Sequence, residues 1–354
     1  MTNYDKELTD LILTTIKEGA SDLHLSVGRH PTIRVTGSLI PLVKKPVLSP
    51  EDTEGLIFAM LEEKKRKEFL QEKEMDFSYG FEDKARFRVN TFFQRGFMGA
   101  SLRLVPSVIK DIESLNLPTV LRDFSDKEQG FFLVVGPIGH GKSTTLASMI
   151  DYINHSRSEH ILTIEDPIEY FFVQDKAIVD QREVKNDTKD FHSALRSMFR
   201  EDVNVGMIGE MRDLETISTA ITAAETGHLI LSSLHTNNAA QTIDRIIDSF
   251  PAEQQNQIRL QLSNVLLGVF SQRLVPRISG GLIPAYELLI CNPAIKNLIR
   301  EKRTYEIDIV IETNFEQGMI GLDRSLANLV REREITMENA LAYSFNPKGL
   351  EGLL

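Results

Sequence analysis

The sequence predicts an α/β protein in which a small α+β domain precedes a larger domain built on a mostly parallel sheet. Three observations predict it. From Gly130 onward, mainly apolar strand runs (FFLVV, HILTI, VGMIG, HLILSSL) alternate with helical segments, as in a parallel sheet covered on both faces. Before residue 104 the strand candidates are half apolar and half polar, as in an antiparallel sheet with one face toward water. Between the two, residues 105–118 (VPSVIKDIESLNLP) hold two prolines and little periodicity, which marks a linker. The expected organisation is 1–104, linker 105–118, a main domain over 119–290, and a C-terminal helical region over 291–354.

Bulk properties narrow the class. A chain of 354 residues suggests about two domains. A hydrophobic content of 42% with 26% charged residues is that of an ordinary globular protein able to bury a core. The net charge of −11 argues against a surface that grips nucleic acid, so no nucleic-acid partner is expected. Cys291 is the single cysteine; it permits neither an internal disulfide nor a four-cysteine zinc site, so a cytoplasmic chain without zinc is expected. The N-terminus, MTNYDKELTD, is acidic and polar and reads as no secretory signal. No apolar run approaches the roughly 18–20 residues that span a bilayer. Work at a membrane would need another protein to hold the chain there.

Along the chain, Leu8, Leu11, Ile12 and Ile16 have helical spacing, with Gly19 following as a stop. DLHLSV alternates as a half-buried strand, and TIRVTGSLI reads as strand, glycine turn, strand. Ser49-Pro50 opens a second helix, strongly charged near Glu62–Lys67 on a solvated face. DFSYGF, ARFRVNTFF and MGASLRLV are three more strands, and in the second Phe87 and Val89 alternate with Arg86, Arg88 and Asn90. In the main domain, helices are expected from Lys142, from Asp213 to Thr226 and near Asn238–Asp248, with a hairpin-like stretch after HILTI. Short helices are expected from about Pro293.

The strongest motif follows FFLVV directly. Gly136-Pro137-Ile138-Gly139-His140-Gly141-Lys142-Ser143 fits G-x-x-x-x-G-K-[ST] in its strand–loop–helix context. Glycines let successive N–H groups point at phosphate oxygens, and the following helix adds its positive end. Lys142 then reaches the β- and γ-phosphates, and the Ser143 hydroxyl takes a Mg²⁺ position, which implies ATP and Mg²⁺. Hydrolysis also needs a carboxylate to position water and the Mg²⁺ shell. Glu210 closes VGMIGE, and Glu165 and Asp166 close ILTIED; the alternative for each is a helix or turn cap. His228 and His235 bracket LILSSL and either contact the γ-phosphate or serve structure. Arg88, Arg95 and Arg103 are arginines that a neighbouring subunit could receive at its phosphate, or simply solvated surface charges.

These segments resemble the secretion/pilus traffic ATPases. GPIGHGKSTT is similar to the family's Walker A loop, ILTIEDPIEY to its Asp box, FREDVNVGMIGEMRD to its Walker B region, and TAAETGHLILSSLHTNNAAQTIDRII to its His box. ASDLHLSVGRHPTIRVTG and ARFRVNTFFQRG resemble the family's PAS-like N-terminal domain. NPAIKNLIREKRTYEID resembles the C-terminal signature of the retraction branch, the PilT twitching-motility ATPases. The resemblance implies a RecA-like P-loop ATPase domain after a PAS-like one. It implies Lys142, Ser143 and Thr144 in the Walker A position, Glu165 in the Asp box, Glu210 as the catalytic Walker B carboxylate, and His228 and His235 in the His box. It places Arg88 and Arg103 where family members contribute arginines to a neighbour's nucleotide.

The implied activity is a homohexameric motor for pilus retraction. Its partners would be an inner-membrane platform protein and, indirectly, pilin, and it would associate peripherally with the inner face of the membrane. Ile138 and His140 stand where the family usually has Thr and Ser; because phosphate binding there uses mainly backbone N–H groups, function is expected to survive. Asp202-Val203-Asn204 replaces the usual Asp-Pro-Asp, and Lys296 replaces an arginine. An assembly ATPase, a DNA translocase and a non-hydrolysing regulatory paralogue are the alternatives. The single cysteine, the absence of a basic aromatic surface and the intact Lys142 and Glu210 argue against them in turn.

Overall fold

A computed structural model describes residues 3–35, 37–82, 85–105, 108–211 and 213–354. The chain forms two compact units, Met1–Val108 with Pro167–Phe171, and Ile109–Asp166 with Phe172–Leu354. The second half of the expected linker therefore belongs to the larger unit, because Ile112 and Leu117 are buried apolar residues. The C-terminal helices also belong to that unit.

The smaller unit carries helix α1 (Asn3–Lys17), strands β1 (Asp22–Leu25), β2 (Thr32–Val35) and β3 (Ser38–Pro41), helices α2 (Pro50–Met60) and α3 (Glu63–Glu72), and strands β4 (Glu74–Phe81), β5 (Ala85–Gln94) and β6 (Phe97–Val105). Ser49 and Asp52 close a capping box around Pro50. The charged Glu62–Lys67 stretch begins a separate helix, since the chain turns extended at Leu61. All strand pairs are antiparallel, in the order β3-β2-β1-β6-β5-β4. Alternation sends Leu23, Leu25, Phe87, Val89 and Leu102 into one core with Leu11, Ile12, Leu56 and Ile57.

The larger unit continues with α4 (Val120–Ser125), β7 (Gly130–Val135), α5 (Lys142–Ser156), β8 (His160–Glu165), β9 (Ile178–Glu183), α6 (Phe191–Met198), β10 (Val205–Ile208), α7 (Leu214–Glu225) and β11 (Leu229–Leu234). Then come α8 (Ala239–Asp248), α9 (Ala252–Val265), β12 (Leu266–Pro276) and β13 (Leu282–Ile290). Five short helices follow: α10 (Pro293–Arg300), α11 (Ile307–Thr313), α12 (Leu322–Arg331), α13 (Met337–Tyr343) and α14 (Pro347–Gly352). The sheet order is β13-β12-β7-β11-β10-β8-β9. Every pair is parallel except β12–β13. The stretch after β8 is thus a crossover and not a hairpin: β9 runs beside β8 in the same direction. Among the described residues, no helix is long and apolar enough to cross a membrane.

Candidate functional site

Parallel pairing decides where the functional side chains go. Strands β7, β8, β10 and β11 all end at one edge of the sheet, so whatever follows each of them gathers there. The phosphate loop follows β7, Glu165 ends β8, Glu210 comes two residues after β10, and His235 follows β11.

Strand β7 is buried along its length between β11 and β12. The loop after it turns at Gly136 (φ 141°), Gly139 (φ 80°) and Gly141 (φ 81°). At Gly136 the requirement is also steric, because a Cβ would collide with the backbone carbonyl of Gln272. Gly141 is the N-cap of α5, and Lys142, Ser143 and Thr144 form that helix's first turn.

Lys142 is buried. Its Nζ donates to the carbonyls of Gly136 (2.9 Å) and Pro137 (3.0 Å) and lies 3.1 Å from His235 Nδ1. An ammonium only donates, so Nδ1 accepts and the proton sits on Nε2. That Nε2 lies 2.9 Å from Glu210 Oε2 and donates to it. Lys142, His235 and Glu210 thus form one chain of polar contacts from the loop to the carboxylate that follows β10. The backbone around Glu210 is braced as well: Ser233 Oγ donates to the Gly209 carbonyl at 2.6 Å, and the Gly209 amide donates to the Ile164 carbonyl at 2.8 Å.

Glu165 is buried, and its Oε1 accepts from the Thr163 hydroxyl at 2.8 Å and from Gln181 Nε2 at 3.4 Å. Ser143, Glu165 and Glu210 make an all-oxygen donor set of one hydroxyl and two carboxylates, which fits a hard cation such as Mg²⁺. A cavity of about 360 Å³ opens beside the start of α5, lined by Gly141, Thr144, Thr145, Gln272 and residues 114–117. That volume is within the range of small-ligand sites.

His228 is placed elsewhere. It precedes β11, at the end of the sheet opposite the loop, and the adjoining Leu229 pairs with Gly130 at the start of β7. Its Nδ1 donates to the Ala223 carbonyl at 3.0 Å, and its ring packs edge-on against Phe199 at 5.5 Å. Within one chain the structure brings His235, and not His228, to the loop.

Arg88 and Arg103 belong to the smaller unit, where they face each other across β5 and β6. Arg103 Nε donates to the buried Asp22 at 2.9 Å, and Arg88 lies 4.0 Å from Glu169. Arg95 sits in the β5–β6 turn with φ 52°, away from that pair.

Sequence reasoning missed Gln272 and Glu287. Gln272 accepts from Thr145 Oγ1 at 2.6 Å and donates to the His140 carbonyl at 2.9 Å, so it binds the loop and α5 to β12. Glu287 accepts the Ala239 amide at the start of α8, which directly follows the His235 segment, at 2.7 Å. Burial pushes the Glu287 carboxyl up to about 7. For Glu287 the signal was available, a carboxylate in the middle of the apolar strand run LIPAYELLI.

The chain matches the model of the family described as type II/IV secretion system protein over residues 4–304. It is 47% identical over 334 residues to the type IV pilus retraction ATPase PilT of Pseudomonas aeruginosa, covering 94% of this chain and 97% of that one. It is 42% identical over 321 residues to a twitching motility protein of Neisseria gonorrhoeae, covering 90% and 86%. A crystal structure of the pilus retraction motor PilT with bound ADP superposes with a TM-score of 0.91 at 47% identity, covering 97% of this chain and 98% of that one. The ATPase DotB of Legionella pneumophila shares the fold, with a TM-score of 0.78 at 24% identity over 95% and 94% of the two chains. The chain belongs to the type II/IV secretion system protein family, in its pilus retraction ATPase branch.

Proposed function

We propose that this protein is a homohexameric motor that hydrolyses ATP to drive type IV pilus retraction in twitching motility. The observation that carries the reading is the polar chain from Lys142 through His235 to Glu210, which joins the phosphate loop to the carboxylate that would act on water. In this reading Gly136, Gly139 and Gly141 shape the loop, and its N–H groups with those of Lys142, Ser143 and Thr144 hold the phosphates. Lys142 exchanges its contact with His235 for the γ-phosphate. His235, released, turns its N–H toward phosphate, and Glu210 orients the attacking water. Ser143, Glu165 and Glu210 would hold Mg²⁺, which would neutralise charge on the phosphates. The nucleoside end takes the cavity beside Thr144 and Thr145.

Arg88 and Arg103 are proposed to serve a neighbouring copy, whose nucleotide would lie between its own larger unit and this smaller one. Loss of the γ-phosphate then weakens that contact, and differential affinity for the two arrangements becomes motion. The ring would act on an inner-membrane platform protein, so that pilin leaves the fibre base, with the motor held peripherally on the cytoplasmic face. Mass in solution with ATP and Mg²⁺ tests the assembly: a particle of six chains is expected, and a protein that stays monomeric at every concentration contradicts it.

A further inference from the structure

Strand β12 outruns β7. Their last pair is Ser271 with Val135, and β12 continues to Pro276. The backbone amide of Leu274, three residues beyond that pair, therefore has no β7 partner, and an amide left unpaired in a partly buried place is costly. His140 fills the gap: Leu274 N–H donates to its Nδ1 at 2.9 Å. The His140 carbonyl accepts from Gln272 Nε2, also at 2.9 Å. One loop residue is thus tied to β12 twice, once by its ring and once by its backbone. The outer side of the ring packs edge-on against Tyr343 of α13, with centroids 6.4 Å apart. A serine in this place would end one atom short of the accepting position.

We propose that His140 is a positioning residue of the ATP site, fixing the phosphate loop to strand β12 by accepting the Leu274 amide and so setting how tightly the loop holds phosphate. The inference rests on the reading of this loop as the ATP site. Only a neutral imidazole can accept at Nδ1. Burial, then the nearby Arg273 and Lys142, lower the affinity of His140 for a proton and keep it neutral near pH 7. The charged or titratable groups facing it are Arg273 on β12, Lys142 on α5 and Tyr343 on α13.

The test compares His140→Ser, which removes the acceptor, with His140→Asn, whose amide oxygen takes the place of Nδ1. Binding of a fluorescent ATP analogue and steady-state KM and kcat are the readouts. His140→Ser is expected to weaken binding and raise KM about five- to tenfold with kcat within about twofold, the effect of one lost hydrogen bond. His140→Asn is expected to bind like the wild type at pH 7.5. As the pH falls below the ordinary histidine range, the wild type should weaken more than the Asn variant does, because only the wild type can lose its acceptor to a proton.

A Ser variant that binds like the wild type overturns the proposal, and so does an Asn variant that fails to rescue. If the Ser protein does not fold, the pH comparison of wild type and Asn decides alone. Lys142→Ala, run alongside, separates the two readings. If it still binds the analogue, the ATP-site reading falls and this inference with it; if it loses binding while His140→Ser does not, only the inference falls.

Discussion

The two units place their charged groups by opposite means. In the larger unit, parallel strands end at one edge and deliver Lys142, Glu165, Glu210 and His235 from four separate chain segments to one place. In the smaller unit, antiparallel register lines Arg34, Asp22, Arg103 and Arg88 in a row across four neighbouring strands. A buried carboxylate in each unit, Glu287 in the larger and Asp22 in the smaller, shows a further contrast. Glu287 is pushed up to about 7 because burial outweighs its one backbone N–H. Burial works on Asp22 in the same direction, yet hydrogen bonds from the Ser21 hydroxyl and Arg103 hold its carboxyl below the ordinary range. The number of donors around a buried carboxylate, and not burial alone, decides whether it stays charged.

The comparison can be broken at three points. The largest effect is expected at the loop: Lys142→Ala removes a buried charge from the phosphate site and should weaken ATP binding by about 10²-fold or more, read by titration with labelled nucleotide. Next is Glu287. A folded-state value raised to about 7 from 4.5 means that stability is full below the unfolded value and is lost as pH rises through the folded one. Between about pH 4.5 and 7 the wild type should lose on the order of 3 kcal/mol relative to Glu287→Gln, which stays neutral and still accepts the Ala239 amide. Denaturant midpoints of the two proteins across that range check it; parallel curves would remove the pH sensitivity from Glu287.

The smallest effect belongs to Asp22, whose sign is reversed. Its stabilisation is present above the unfolded carboxylate value and is lost as pH falls through the folded one. Asp22→Asn should cost about 2 kcal/mol near neutral pH and close the gap to the wild type in acid, seen in urea unfolding.

Most of the larger unit was legible because its signals are local. The glycines, Lys142 and Ser143 lie in eight consecutive residues, and the strand runs around them are continuous. Asp213 and Asn238 cap their helices as polar residues before apolar periodicity should. What could not be read depends on pairing between distant segments. Nothing near residue 178 says that β9 runs parallel to β8. Gln272 meets Thr145 only because β12 lies beside β7. His228 shows the opposite case, in which the information was present. Two histidines that bracket a six-residue strand stand about 23 Å apart at about 3.3 Å per residue, so one phosphate cannot meet both within a chain. The arginine row was visible as alternation along β5, but its alignment with Asp22 needed the register.

Steady-state ATP hydrolysis by the wild type beside Glu210→Gln tests the central claim most directly. Mg²⁺-dependent turnover is expected from the wild type, lowered about 10²- to 10⁴-fold in Glu210→Gln while ATP binding is kept. A wild type that binds ATP without turnover, or a Glu210→Gln protein that hydrolyses at the wild-type rate, would contradict the assignment of Glu210 at the centre of a motor.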